Sequence, residues 1–126
     1  MFLDSTFLID LINRESDAKD TLDELTAAAT PVAFSVLTAY EVGVGLRGTD
    51  EHERYDQFMS SMTVVPLERD ATQRAITIQR TLRSQGQEIG SMDALIAATA
   101  AERDEEVLTR NVDEFERVDD IEVKTY

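Results

Sequence analysis

The chain has 126 residues, enough for one compact domain with a real core and too few for two ordinary ones. Its 26 acids against 12 Lys and Arg leave a formal charge of −14, it has no Cys, and near-apolar stretches such as residues 94–101 fall far short of the roughly 20 residues a membrane span needs. Disulfides, thiolate metal sites and a membrane-spanning helix are thereby excluded, and carboxylates are left as the only plentiful metal ligands.

Residues 1–4 read as a short apolar strand ending in an acid, after which Ser5 or Thr6 caps a helix carrying Phe7, Leu8, Leu11 and Ile12. The first residues lack a basic start and a small-residue cleavage site, so they do not read as a signal peptide and a cytoplasmic protein is expected. A second helix is predicted over 15–29, with Ala18, Leu22 and Leu25 inward, stopping before Thr30-Pro31 because the residue ahead of a proline avoids helical angles. Residues 32–35 form strand two. The next helix has Leu37, Tyr40, Glu41 and Val44 along one side and ends at Gly48; another, over 50–61, carries Tyr55, Phe58 and Met59.

Residues 62–66 are expected as strand three, and 70–84 as a long amphipathic helix with Ala71, Ala75, Ile78 and Leu82 inward, closed by Gln85-Gly86. Ser91 caps a strongly apolar helix reaching Arg103. A buried-type strand over 106–109, a short helix over 112–118 and a last strand over 121–125 complete the chain. This alternation predicts an α/β domain spanning 1–126, with a central, mostly parallel sheet of four or five strands flanked by helices, since each parallel return needs a crossover.

Open parallel sheets bind ligands beyond the carboxyl ends of their strands, where the strand order reverses. Asp4 ends the first strand, and Thr109-Arg110-Asn111 ends the strand before the last helix, so both can face one crevice. Asp93 is the early acid of an otherwise apolar helix; Glu41 is the only charge between Val32 and Leu46. A buried carboxylate must be protonated, paired or bound to metal. The ordinary alternatives are a capping role for Asp93 and a solvent-facing place for Glu41. Together the three acids make a hard oxygen set of the kind that selects Mg²⁺ or Mn²⁺, and such ions drive phosphodiester hydrolysis. There is no GxxxxGKS/T, GxGxxG or HExxH motif, and the single His52 lies in a polar surface stretch.

The charge has its own reading. Ten of the 12 bases are Arg, leaving Lys19 and Lys124 as the only lysines, and so acidic a surface repels itself unless counterions screen it. An acid-rich, lysine-poor surface suits a salt-rich cytoplasm, the alternative being an ordinary acidic protein.

Four segments, Leu3-Asp4-Ser5-Thr6-Phe7-Leu8-Ile9-Asp10, residues 35–42 with Thr38 and Glu41, residues 89–98 with Asp93, and Leu108-Thr109-Arg110-Asn111 leading to Phe115, stand in an order and spacing that resembles the VapC-type PIN-domain ribonuclease toxins of type II toxin–antitoxin pairs. The resemblance covers nearly the whole chain. It implies a PIN-like three-layer fold and an Mg²⁺- or Mn²⁺-dependent endoribonuclease acting on single-stranded or looped RNA. It also implies a cognate antitoxin and a homodimer, for which Tyr55, Phe58 and Met59 are the candidate apolar surface. With the charge pattern, it points to a halophilic archaeal source.

Carried over residue by residue, Asp4, Glu41 and Asp93 match the family's central acids as metal ligands, while Asn111, Asp113 and Glu114 compete for the fourth catalytic position. Thr6 and Thr109 match small hydroxyl residues that orient carboxylates or water. Arg14, Arg47, Arg83 and Arg110 are candidates for holding phosphate. A PIN domain in RNA maturation or repair is the alternative within the family. Outside it stand a receiver-like Mg²⁺-binding signalling module, which lacks a suitably placed Lys, and a carboxylate phosphatase, which would want a second Asp at position 6, occupied by Thr.

Overall fold

A computed structural model describes residues 1–126. Five short strands, β1 (Phe2–Leu3), β2 (Ala33–Ser35), β3 (Thr63–Val65), β4 (Val107–Leu108) and β5 (Val123–Lys124), make one sheet in the order β3-β2-β1-β4-β5. Every pairing is parallel: Phe2 faces Ala33 on one side and Val107 on the other, and Leu108 faces Lys124. The chain runs outward from β1 to β3, then returns to add β4 and β5 on the opposite side. Strand order therefore reverses between β1 and β4, and the crevice lies at their carboxyl ends, beside Asp4 and Thr109.

Apolar periodicity explains most helices. In α1 (Ser5–Ile12) Phe7, Leu8, Leu11 and Ile12 are buried, and in α2 (Ser16–Ala27) Ala18 and Leu25 are. In α5 (Arg69–Ser84) the buried stripe is Ala71, Ala75, Ile78 and Leu82, and Gly86 ends the run with φ +67, a left-handed angle that glycine adopts without strain. The helix α6 (Ser91–Glu102) is buried through Ala94 and residues 96–100. One core cluster joins α5, α6 and Phe115 of α7 (Val112–Phe115) to Phe2, Ala33 and Val107; the other joins α1, α2, α3 (Val36–Val44) and part of α4 (Thr49–Ser61) to Leu3, Phe34 and Leu108. Alternate strand residues thus feed opposite faces, giving the three layers that the sequence predicts.

Several local expectations are corrected. The side of α3 that carries Tyr40 and Val44 is not the packed one: they are 66% and 68% exposed, and the buried stripe of α3 is Thr38, Ala39 and Val42. Small side chains there let α4 approach, with the Tyr55 hydroxyl 3.3 Å from where a side chain on Gly43 would begin. Gly48 does not end α3, which stops at Gly45; Gly48 caps the next helix. Neither Ser5 nor Thr6 caps α1 and Ser91 does not cap α6, because Asp4 and Gly90 occupy those positions. The short helix ends at Phe115, after which single-turn bonds from Arg117 N–H to Glu114 and from Val118 N–H to Phe115 tighten the chain. Tyr55 and Phe58 pack against the α1 to α4 cluster, leaving only Met59, 36% exposed, of the three residues expected on the surface.

Candidate active site

Asp4 leaves β1 with its N–H bonded to Leu108 O and its carbonyl accepting from Phe7 and Leu8, so the strand and the first helical turn fix its backbone. Its side chain, 2% exposed, does not cap α1. Instead Oδ2 accepts from Thr109 Oγ1 at 2.7 Å and from Thr6 Oγ1 at 3.1 Å. Each threonine is itself held. Thr6 Oγ1 accepts from Arg110 N–H at 3.1 Å, and Thr109 Oγ1 accepts from Asn111 N–H at 2.8 Å. Sequence types that favour caps and turns are thus used here to orient a buried carboxylate across the switch point.

Glu41 comes from α3, where Ser5 Oγ donates to its Oε1 at 2.7 Å, tying the acid to the first residue of α1. One turn earlier, Thr38 is fully buried and its hydroxyl has no protein partner. Beside Glu41 a cavity of about 280 Å³ opens between Ile9, Val42, Leu46 and Arg47.

Asp93 sits in the first turn of α6 and meets the Asn111 amide, whose Nδ2 donates to Asp93 Oδ2 at 3.0 Å and to Glu114 Oε2 at 2.8 Å. Burial, first, and a shared hydrogen bond with Glu114, second, push Asp93 up to about 8, with further repulsion from Asp4, Glu114 and Glu41. Glu114 moves the other way, held below the usual carboxylate range by the hydrogen bond from Asp93 and then by Asn111. Both directions favour a proton on Asp93 over one on Glu114. Of the three competitors for the fourth position, Asn111 and Glu114 both face Asp93, and Asp113 is exposed.

Four carboxylates therefore sense one another in one crevice, although no three of them are drawn close enough to form an ion shell as they stand. The donor set fits a divalent cation: it is entirely hard oxygen, and its mutual repulsion with an unpartnered buried hydroxyl nearby is the environment a cation relieves.

The arginines are placed less uniformly. Arg110 reaches the site only through its backbone, since its guanidinium pairs with Asp10 at 3.1 Å and Asp17 at 3.4 Å and lies 4.4 Å over the Tyr126 ring. Arg83 pairs with Glu88 at 2.6 Å. Arg14 is exposed after α1 with φ +59, and Arg47 is exposed at the rim of the cavity beside Glu41.

Sequence reasoning missed three supports. Tyr126 donates to Asp10 Oδ2 at 2.6 Å, packs edge-on against Phe7 with ring centroids 4.8 Å apart, and with Asp10 holds Arg110 and hence the loop that carries Thr109 and Asn111. Gln79 of α5 clasps the other loop, donating to Ile89 O at 2.6 Å and accepting from Ile89 N–H at 3.1 Å just before Asp93. Ser5, read as a cap, holds Glu41. Only Ser5 carried a signal, as a hydroxyl next to a strand-end acid.

Residues 1–121 match the family model described as PIN domain. Among curated proteins, the chain is 30% identical over 120 residues to "Ribonuclease VapC19" of Mycobacterium tuberculosis, covering 95% of both chains. Among solved structures, the VapBC2 complex of Rickettsia felis bound to a promoter DNA fragment superposes with a TM-score of 0.85 at 22% identity, covering 99% of this chain and 97% of that one. A toxin–antitoxin complex from Klebsiella pneumoniae gives a TM-score of 0.77 at 26% identity, over 95% and 93% of the two chains.

Proposed function

The chain belongs to the PIN-domain family, and we propose that it acts in the cytoplasm as the ribonuclease toxin of a toxin–antitoxin pair, hydrolysing single-stranded or looped RNA with Mg²⁺ or Mn²⁺. The observation that carries this reading is the convergence of Asp4, Glu41, Asp93 and Glu114 on one crevice at the sheet's switch point, with burial and charge crowding raising Asp93 to about 8. The residues that would hold the ion are Asp4, Asp93 and Glu41, with Glu114 at the rim.

When bound there, such an ion lowers the pKa of a water and offsets charge developing on the phosphoryl oxygens. The chain's own residues supply position. Thr6 and Thr109 fix Oδ2 of Asp4 and leave Oδ1 without a side-chain partner, and Ser5 does the same for one oxygen of Glu41. Asn111 keeps Asp93 and Glu114 at a set spacing, so a proton leaving Asp93 has Glu114 as acceptor, and Glu114, nearer the solvent, passes it on to water and is a carboxylate again. Arg47, at the rim of the cavity beside Glu41, is the candidate phosphate contact on that side of the crevice. A homodimer would use the exposed α3 stripe Val36, Tyr40 and Val44 in place of the α4 residues. The net charge of −14 fits work in a salt-rich cytoplasm.

The test is RNA cleavage in molar KCl with Mn²⁺ or Mg²⁺, against an EDTA control, using a broad RNA pool with and without the protein encoded beside this one. Metal-dependent cutting that the neighbouring protein suppresses is expected. A folded, metal-binding protein that cuts no RNA in the pool would refute general ribonuclease activity. Cutting that no neighbour suppresses would favour a role in RNA maturation.

A further inference from the structure

A nuclease with 26 acids must receive a polyanion somewhere, and only one sizeable cavity of this molecule suits it. Four of the five principal cavities include at least two carboxylates each. The fifth, about 410 Å³, lies between α5 and α6 and includes none; it is lined by Ile76, Gln79, Arg80, Arg83, Ser91 and Leu95, among others. Ile76, Arg80 and Arg83 follow at i, i+4 and i+7, so they share one face of α5. That helix carries Arg69, Arg74, Arg80 and Arg83 against a single acid, Asp70, which makes it a basic element in an acidic chain.

Its active-site end is identifiable. The helices α5 and α6 run antiparallel: Arg74 meets Glu102 at one end, and Gln79 clasps Ile89 at the other. Arg80 follows Gln79 directly, and Ser91 on the opposite wall stands in the same first turn of α6 as Asp93 but on the helix's other side, so the cavity and the acid crevice flank one end of α6. Arg74 is spent on Glu102 and Asp120, and Arg83 on Glu88, whereas Arg80 is exposed and forms no ion pair. Ile76, 46% exposed, adds an uncharged floor.

We propose that this cavity is a docking position for the RNA backbone as it runs over the first turn of α6 towards the crevice, with Arg80 forking onto a phosphate and Arg83 as its neighbour. The inference rests on the ribonuclease reading and adds to it a route for the strand over α5. Guanidinium forks match phosphate oxygens directly, so the contact works at short range where high salt has screened everything else. A second copy of this chain, with its own excess of acids, is the less suitable occupant.

The experiment uses a labelled, mixed-sequence single-stranded RNA and the Asp93→Asn protein in EDTA, so that nothing is cut, and measures affinity by fluorescence anisotropy over a KCl series. Adding Arg80→Glu should weaken binding about 5–10-fold and flatten the dependence of log Kd on log salt by about one phosphate contact, while Arg69→Glu at the far end of the same helix stays within about 2-fold. Circular dichroism checks that each variant is folded; should Arg80→Glu fail it, Arg80→Gln replaces it with the same expectation. Equal losses from Arg80 and Arg69 would reduce the effect to net charge, and no loss from Arg80 would remove it; either overturns the proposal. So would unchanged RNA affinity together with a change of sedimentation, which would assign the face to a second copy. A wild type that cuts RNA while Arg80→Glu leaves KM unchanged sinks this inference and leaves the ribonuclease reading standing. A wild type that neither binds nor cuts RNA sinks both.

Discussion

Two acidic regions lie at opposite ends of the sheet. At the amino ends of β4 and β5, Asp104, Glu105, Glu106, Asp119, Asp120 and Glu122 surround a cavity of about 390 Å³, larger than the one beside Glu41 and richer in carboxylates. Those acids are largely exposed and answer to cations: Asp120 to Arg74, and Glu105 to Arg103 and the Met1 ammonium. At the carboxyl ends, the four crevice acids form no ion pair with Arg or Lys, Arg117 acting on Glu114 only at longer range, and are held by Ser5, Thr6, Thr109 and Asn111. A count of acids alone would choose the amino end. Burial and neutral donors make the difference, because a solvated carboxylate has little to gain from an ion whereas a crowded, buried one does.

The comparison breaks most sharply at Asp93. Asp93→Asn should lower RNA cleavage by at least about 100-fold, the scale on which losing one charge-stabilising group in an active site is felt, with the fold intact by circular dichroism. The same variant should melt no lower than wild type in EDTA at pH 8, since it removes an acid that resists ionisation. Asn111→Ala comes next: it separates Asp93 from Glu114 and should cost about 10–100-fold in metal affinity, read by Mn²⁺ titration. Tyr126→Phe keeps the ring over Arg110 and removes only the hydrogen bond to Asp10. A loss in kcat of about 3–10-fold is expected, smaller than for Asn111, because the hydroxyl acts on the Thr109 to Asn111 loop at one remove. Asp120→Asn, at the amino end, should leave cleavage within about 2-fold, as expected of an exposed ion pair.

Proton linkage sharpens the contrast further. Asp93 keeps its proton in the folded chain up to about pH 8 and would lose it near 3.8 if unfolded. Between those values the folded state binds more protons, so this group makes the metal-free protein less stable as pH rises from about 4 to about 8. A divalent ion bound in the crevice would displace that proton. Metal affinity should therefore rise with pH through the same window, with proton release measurable by calorimetry in buffers of different ionisation enthalpy.

The sequence carried the layout better than the contacts. Asp4 at a strand end, Asp93 in the first turn of an apolar helix and Thr109 before a turn were legible because each is a local pattern, and parallel topology then brings strand ends together. The inward face of α3 was not legible: Tyr40 and Val44 are the larger apolar residues, but small Ala39 and Gly43 allow the close approach of α4 that decides the packing. The bridging amide of Asn111 and the grip of Tyr126 on Arg110 join residues up to 116 positions apart, as the Tyr126 to Asp10 bond does, and no periodicity encodes them. Of Asn111, Asp113 and Glu114, the turn of α7 sends Asp113 to solvent and leaves the other two beside Asp93.

The most direct measurement is a Mn²⁺ titration of wild type, Asp93→Asn and Asp120→Asn at pH 8 in molar KCl. Saturable binding that is lost in Asp93→Asn and unchanged in Asp120→Asn is the expected result. Equal binding in all three proteins, or a loss confined to Asp120→Asn, would contradict the assignment of the metal to the buried crevice.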